Sequence, residues 1–234
     1  MLILRVEDID RDRCKPEFAE AMLEDLHWFG LCWDEGPYVQ SARFPFYQAV
    51  LERLRTGGFV YPCRCSRREV LLAAGAPHEG EEEPLYPGTC REKGQKGTSC
   101  SSLPSFPDTH WRFRVPEGEM LFFTDGALGP QTAIAGRDFG DFIVWRRDGI
   151  PAYQLAVVAD DADMGITEVV RGADLLLSTF RQLLLYRALG FTPPAFYHAP
   201  LVYDPATGQR LAKRHAALSL RQLRQSGANP ETLR

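Results

Sequence analysis

Three thiols and a phenol fall within one stretch of the chain, in Cys63-Arg64-Cys65 and then Tyr86-Pro87-Gly88-Thr89-Cys90. A structural zinc takes four ligands in a tetrahedron and favours thiolates. Metal binding is therefore one reading of these residues, and buried or free cysteines are the other. Arg171, in Val-Val-Arg-Gly-Ala-Asp, follows a short apolar run. Its planar guanidinium matches a carboxylate through two parallel hydrogen bonds, although an arginine in such a place also serves as a surface ion-pair residue. Glu7, just after the apolar run Leu2-Ile3-Leu4-Arg5-Val6, could receive an ammonium group or act only on local loop electrostatics. Tyr153 opens a helical pattern and could hydrogen-bond the same ligand or simply pack. Near the C-terminus, Arg210, Leu211, Ala212, Lys213 and Arg214 form a basic pentapeptide able to meet phosphate, or to sit solvated.

These groups need a frame, and 234 residues with 44% hydrophobic and 25% charged content suffice for one sizeable domain or a core domain carrying an insertion. No apolar run approaches the roughly 18 residues that cross a bilayer, and the acidic N-terminal stretch is unlike a signal peptide. A cytoplasmic protein with no membrane partner is expected. Six irregularly spaced cysteines favour thiols or a metal over a disulfide framework. A net charge of -4 offers no global attraction for nucleic acid, so an RNA contact needs a local basic face, for which Arg210, Lys213, Arg214, Arg221 and Arg224 are one candidate.

The Leu2 to Val6 run reads as a buried parallel strand with carboxylates at its C-terminal end, where ligands of open α/β sheets gather. Phe18, Met22, Leu26 and Phe29 recur at helical spacing after Pro16 and before Gly30. A second helix spans about Pro45 to Arg55. Between Pro62 and Gly140 the character changes, with Gly, Pro, Ser and Glu dominating Gly75 to Pro107, which reads as an inserted subdomain with a poorly ordered loop and strands near Trp111 to Val115 and Leu121 to Thr124. Its acidic run Glu81-Glu82-Glu83 reads as solvated surface. Asp148-Gly149 marks a tight turn, Glu168 to Val170 a strand, and Thr179 to Leu189 a helix ended by Gly190. The alternation predicts a parallel α/β sheet with one insertion.

In order, LRVEDID, DGIPAYQLAVVADD, GITEVVRGADL, HAPLVYD and RLAKRHAALS resemble the catalytic domain of class I aminoacyl-tRNA synthetases of the glutamate branch, across nearly the whole chain. CRC followed by YPGTCR, together with TEVVRGADL, is most similar to the glutamyl-queuosine tRNA(Asp) synthetases within that branch. The resemblance implies a Rossmann-like parallel sheet from residues 1–62 and 140–234, interrupted by a zinc-binding, acceptor-type insertion at 63–139, with no anticodon-binding domain. It implies one structural zinc per chain on Cys63, Cys65, Tyr86 and Cys90, with Cys100 or His78 as the substitute for Tyr86. It implies glutamate held by Glu7, Tyr153 and Arg171. RLAKR matches the mobile KMSKS-type loop, and Lys213 falls on its second lysine, the catalytic position expected to reach the phosphates of ATP and Mg2+.

What the resemblance implies of function is activation of glutamate by ATP and transfer to the queuosine base of tRNA(Asp), by a monomer. The alternatives are a fragment of a glutamyl-tRNA synthetase and an inactive zinc- and RNA-binding module. Two departures stand out: Arg210 and Ala212 replace a lysine and a small hydroxyl residue of the loop. Family members also place a strand, an arginine-bearing turn and a HIGH-type motif ahead of LRVEDID. An upstream start of the reading frame is the simplest expectation for that difference.

Overall fold

The computed structural model describes residues 1–10, 14–66, 68–70, 85–91, 109–201, 203 and 219–233. The chain divides into two compact units, Met1–Phe44 with Leu201–Arg234, and Pro45–Pro200.

In the first unit, strand β1 (Ile3–Val6) pairs in parallel with β2 (Glu35–Val39). Helix α1 (Pro16–Trp28) begins where its proline predicts, since Pro at the first helical position loses no hydrogen bond. The strand is half-buried, not buried as expected, and among the described residues the sheet holding it has two strands. The apolar stripe of α1 is likewise no core face, with Phe18 59% exposed. A short helix α5 (Leu220–Gln225) starts on a reciprocal Ser219–Gln222 capping box. Arg221 ties it to α1, donating to Asp25, to Glu24 and to the Ala21 carbonyl, and Arg224 lies 3.8 Å from Asp25. This corrects the expectation that these two arginines present a basic face: acids of α1 engage them.

The second unit carries most of the core. Helix α2 (Phe44–Thr56) buries Tyr47, Val50, Leu51 and Leu54. Strands β3 (Val60–Cys63), β4 (His110–Phe113) and β7 (Ile143–Trp145) form an antiparallel sheet in the order β3-β4-β7. Between β4 and β7 come β5 (Met120–Asp125) and β6 (Gly129–Ile134), an antiparallel hairpin. After the Asp148-Gly149 turn, helix α3 (Tyr153–Asp163) buries seven residues from Leu155 to Asp161. Tyr47 donates its hydroxyl to Asp160 at 2.9 Å, which gives a buried carboxylate a partner. Strand β8 (Glu168–Gly172) leads into helix α4 (Leu176–Leu189), and β9 (Ala195–Ala199) returns parallel to β8.

The expected parallel sheet is therefore met in part. Among the described residues parallel pairing is present as two pairs, and the other strands pair antiparallel. Apolar runs report burial but not the direction of the partner strand, so the alternation alone could not separate these cases. Among the described residues no helix is long and apolar enough to cross a membrane.

Candidate metal and carboxylate sites

Edge strand β3 ends on Cys63, and Cys65 follows it by two residues. Opposite them, Tyr86 to Cys90 folds into a turn in which the Arg91 N–H donates to the Gly88 carbonyl at 2.7 Å. Gly88 sits at φ 77°, a backbone conformation that favours glycine. The turn brings Cys65 Sγ to 3.5 Å from Cys90 Sγ, and the Tyr86 hydroxyl to 3.3 Å from Cys63 Sγ and 3.4 Å from Cys65 Sγ. The three sulfurs lie within 4.8 Å of one another, a spacing that could hold a metal ion. Sulfurs each about 2.3 Å from a common tetrahedral ion would lie roughly 3.8 Å apart, so the cluster fits such an ion.

The electrostatics of the cluster point the same way. Burial pushes the Cys65 thiol up to about 11. Burial also opposes ionisation of Cys90, but hydrogen bonds from Tyr86, the Arg64 N–H, Cys65 and Cys63 outweigh it and bring that thiol down to about 7. The Tyr86 phenol is held well above its ordinary value by burial and by the three thiols around it. Without a cation the cluster thus favours a thiolate at Cys90 and a protonated thiol at Cys65, the latter chiefly because burial penalises its charge. A divalent cation would favour the thiolate at Cys65 as well. Buried Arg112 adds positive charge beside the cluster, with Nε 3.3 Å from Cys63 Sγ and its guanidinium 4.0 Å over the Tyr86 ring.

The second candidate site centres on Arg171. Parallel pairing of β8 with β9 sets Arg171 beside His198, and period-two alternation sends Val170 outward, 74% exposed, while Phe196 and His198 turn inward. Arg171 Nε donates to His198 Nε2 at 3.1 Å, and its Nη2 donates to Thr179 Oγ1 at 2.7 Å. Its guanidinium also lies 5.4 Å over the Phe196 ring. Behind the imidazole, His198 Nδ1 is 2.6 Å from Asp125, both side chains having no exposed surface. Asp125 closes the β5–β6 hairpin, and its carboxylate also accepts the N–H groups of Ala127, Leu128 and His198. Burial works against this charge, yet the bonds from His198 and these backbone donors hold the carboxyl at about 2. Gly126 lets the hairpin lie against β9, since a Cβ there would run into the Tyr197 ring.

Tyr153 is the first residue of α3 and 40% exposed. Its neighbour Gln154 binds Ser178 and Gln182 of α4, and Arg171 binds Thr179, next to Ser178. Arg171 and the neighbour of Tyr153 thus both bond to one helix, α4. Glu7 belongs to the other unit, where its exposed carboxylate accepts from Arg5 at 3.0 Å. Arg210, Leu211, Ala212, Lys213 and Arg214 lie outside the described residues, as do His78 and Cys100. Sequence reasoning missed Asp125, Thr179 and His198. Asp125-Gly126 is a turn signal and His198 stands in the HAPLVYD block, but no spacing links residues so far apart.

The sequence matches the family model described as tRNA synthetases class I (E and Q), catalytic domain, over residues 1–234. It is 50% identical to a glutamyl-Q tRNA(Asp) synthetase of Nitratidesulfovibrio vulgaris over 97% of this chain and 71% of that protein. It is 49% identical to a protein of the same name from Symbiobacterium thermophilum over 99% of this chain and 73% of that one. Among solved structures it is similar to a glutamate tRNA ligase from Elizabethkingia meningosepticum in complex with its amino acid, with a TM-score of 0.74 and 27% identity. That alignment covers 91% of this chain and 45% of the solved one. With the catalytic-domain model matching the chain over residues 1–234 and half of the aligned residues shared with a curated relative, the chain belongs to the class I tRNA synthetases of the E and Q type.

Proposed function

We propose that the chain activates glutamate with ATP and transfers it to the queuosine base of tRNA(Asp). The observation that carries this reading is the 45 to 50% identity, over almost the whole chain, to relatives named glutamyl-Q tRNA(Asp) synthetase. The solved glutamate tRNA ligase, at 27%, is the more distant likeness, which favours this reading over a glutamyl-tRNA synthetase fragment.

In the proposed reaction a glutamate carboxylate attacks the α-phosphate of ATP, and pyrophosphate leaves. Both reactants are anionic, so catalysis rests on positioning and on positive charge near the developing transition state. Arg171 holds the side-chain carboxylate, Tyr153 hydrogen-bonds the amino acid, and Glu7 accepts its ammonium group, as the resemblance implies. Lys213 in the RLAKR loop meets the phosphates with Mg2+. The enzyme works as a cytoplasmic monomer, its catalytic body from residues 1–62 and 140–234 and its metal-bearing insertion from 63–139. In this reading activation needs no tRNA, and protein groups hold Arg171 in place for the amino acid. Radioactive pyrophosphate should exchange into ATP with glutamate present and tRNA omitted, in the longest in-frame product of the gene. Exchange driven equally by glutamine or aspartate would overturn the assignment of substrate.

The insertion is proposed to hold one structural zinc on Cys63, Cys65, Tyr86 and Cys90. The sulfur spacing and the ready ionisation of Cys90 together support a divalent cation there. Purified protein should contain close to one equivalent of zinc after mild dialysis. Less than about a tenth of an equivalent would remove the metal from the account. Cys63→Ser should lose the zinc and lower the unfolding midpoint by roughly 10 °C, because a structural metal contributes directly to folding free energy.

A further inference from the structure

We propose that His198, held by Asp125, is a positioning residue that fixes the Arg171 guanidinium for carboxylate binding, and that it does so as the neutral imidazole protonated on Nδ1. The inference rests on the reading of Arg171 as the carboxylate-binding residue. Arginine has donors only, so the His198 atom that receives Arg171 Nε at 3.1 Å must present a lone pair. The single ring proton is then on Nδ1, 2.6 Å from Asp125. Water-exposed imidazole has no such constraint. Here the tautomer follows from the carboxylate behind the ring, since Asp125 can only accept.

The arrangement uses one edge of the guanidinium and leaves the other. Nε and Nη2 form the edge turned to His198 and Thr179. Among the described residues Nη1 has no hydrogen-bond partner, so the Nη1 and Nη2 edge remains for a two-pronged bond to a carboxylate. Thr179 Oγ1 accepts from Arg171 and has one proton of its own, within reach of the Leu175 carbonyl at 3.4 Å or His198 Nε2 at 3.1 Å. His198 itself cannot swing away. It is fully buried, with Phe196 stacked at 6.4 Å and Phe123 tilted at 6.4 Å. Asp125 is fixed in turn by three backbone N–H groups, two of them from its own hairpin turn. The chain of contacts therefore runs from a rigid turn through the ring to a long, otherwise flexible side chain, whose rotamer freedom is spent before the ligand arrives.

Three variants and one spectrum test this. In the full chain without ligand, nitrogen-15 NMR of histidine-labelled protein should show one ring with a protonated Nδ1 and a bare Nε2, and His198→Phe should remove that signal. His198→Phe keeps a ring between the two phenylalanines but offers no acceptor, and should raise the KM for glutamate in pyrophosphate exchange by roughly tenfold to a hundredfold. The KM for ATP should not move. His198→Gln, whose side-chain oxygen can accept from Arg171, should recover part of the loss. Asp125→Asn keeps the acceptor for the backbone donors but presents an amide N–H to Nδ1, forcing the ring proton onto Nε2 against Arg171. It should raise the glutamate KM as His198→Phe does, in a protein that still unfolds in one cooperative transition with its midpoint lowered by several degrees. A ring protonated on Nε2 in the unaltered protein, or a His198→Phe variant with unaltered glutamate KM, would overturn the proposal. So would glutamate and ATP KM values that rise together. If the unaltered protein shows no glutamate-dependent exchange, the glutamate reading fails, and the tautomer alone decides whether the dyad holds Arg171.

Discussion

Arg171→Ala is expected to abolish glutamate-dependent pyrophosphate exchange while leaving the fold in place. Removing one partner of a partly desolvated charge pair costs about 2 to 5 kcal/mol, because the other charge is left without its match. That corresponds to a loss of roughly thirtyfold to several thousandfold in kcat/KM. The fold should survive, because the site redistributes its hydrogen bonds. Thr179 Oγ1 stands 3.1 Å from His198 Nε2 and can turn its proton to that atom once Arg171 is gone. Asp125 keeps all of its donors. The melting midpoint should fall by only a few degrees, as expected for losing one or two partly buried hydrogen bonds. Arg171→Lys should remain far below the unaltered enzyme, because an ammonium cannot bond His198 and Thr179 on one edge and a carboxylate on another. Near-normal exchange by Arg171→Ala in a folded protein would remove glutamate recognition from this residue.

The sequence made some of this readable and hid the rest for physical reasons. Helix α1 announced itself through apolar spacing and Pro16, and α4 through Gly190 at its end, because those signals are local. Burial of the α1 stripe was not readable, since periodicity shows an amphipathic face but not whether anything packs on it. Strands β2, β3 and β6 were missed for a shared reason. Each contains proline, and two also contain Gly-Pro, which reads as a turn. All three strands have a single described neighbour, the setting in which a missing N–H costs least. The thiol cluster was legible because soft ligands at short spacing carry their own chemistry. Arg171 was legible as a cation after an apolar strand, but its holders were not: His198 and Asp125 are 73 residues apart and meet only through the packing of β5 on β9. Neither residue has a local pattern to announce it.

The destination of the glutamate separates the queuosine-modifying reaction from tRNA(Glu) charging. The longest in-frame gene product would be given ATP, radiolabelled glutamate and one of three acceptors: tRNA(Asp) carrying queuosine, the same tRNA lacking queuosine, and tRNA(Glu). An ester on the queuosine base is chemically separate from one on the 3′-terminal ribose, so removing the terminal adenosine after the reaction distinguishes the two products. The expected result is label on queuosine-containing tRNA(Asp) alone, retained after the terminal adenosine is removed. Label on the 3′ end of tRNA(Glu), with none on the modified tRNA(Asp), would contradict it.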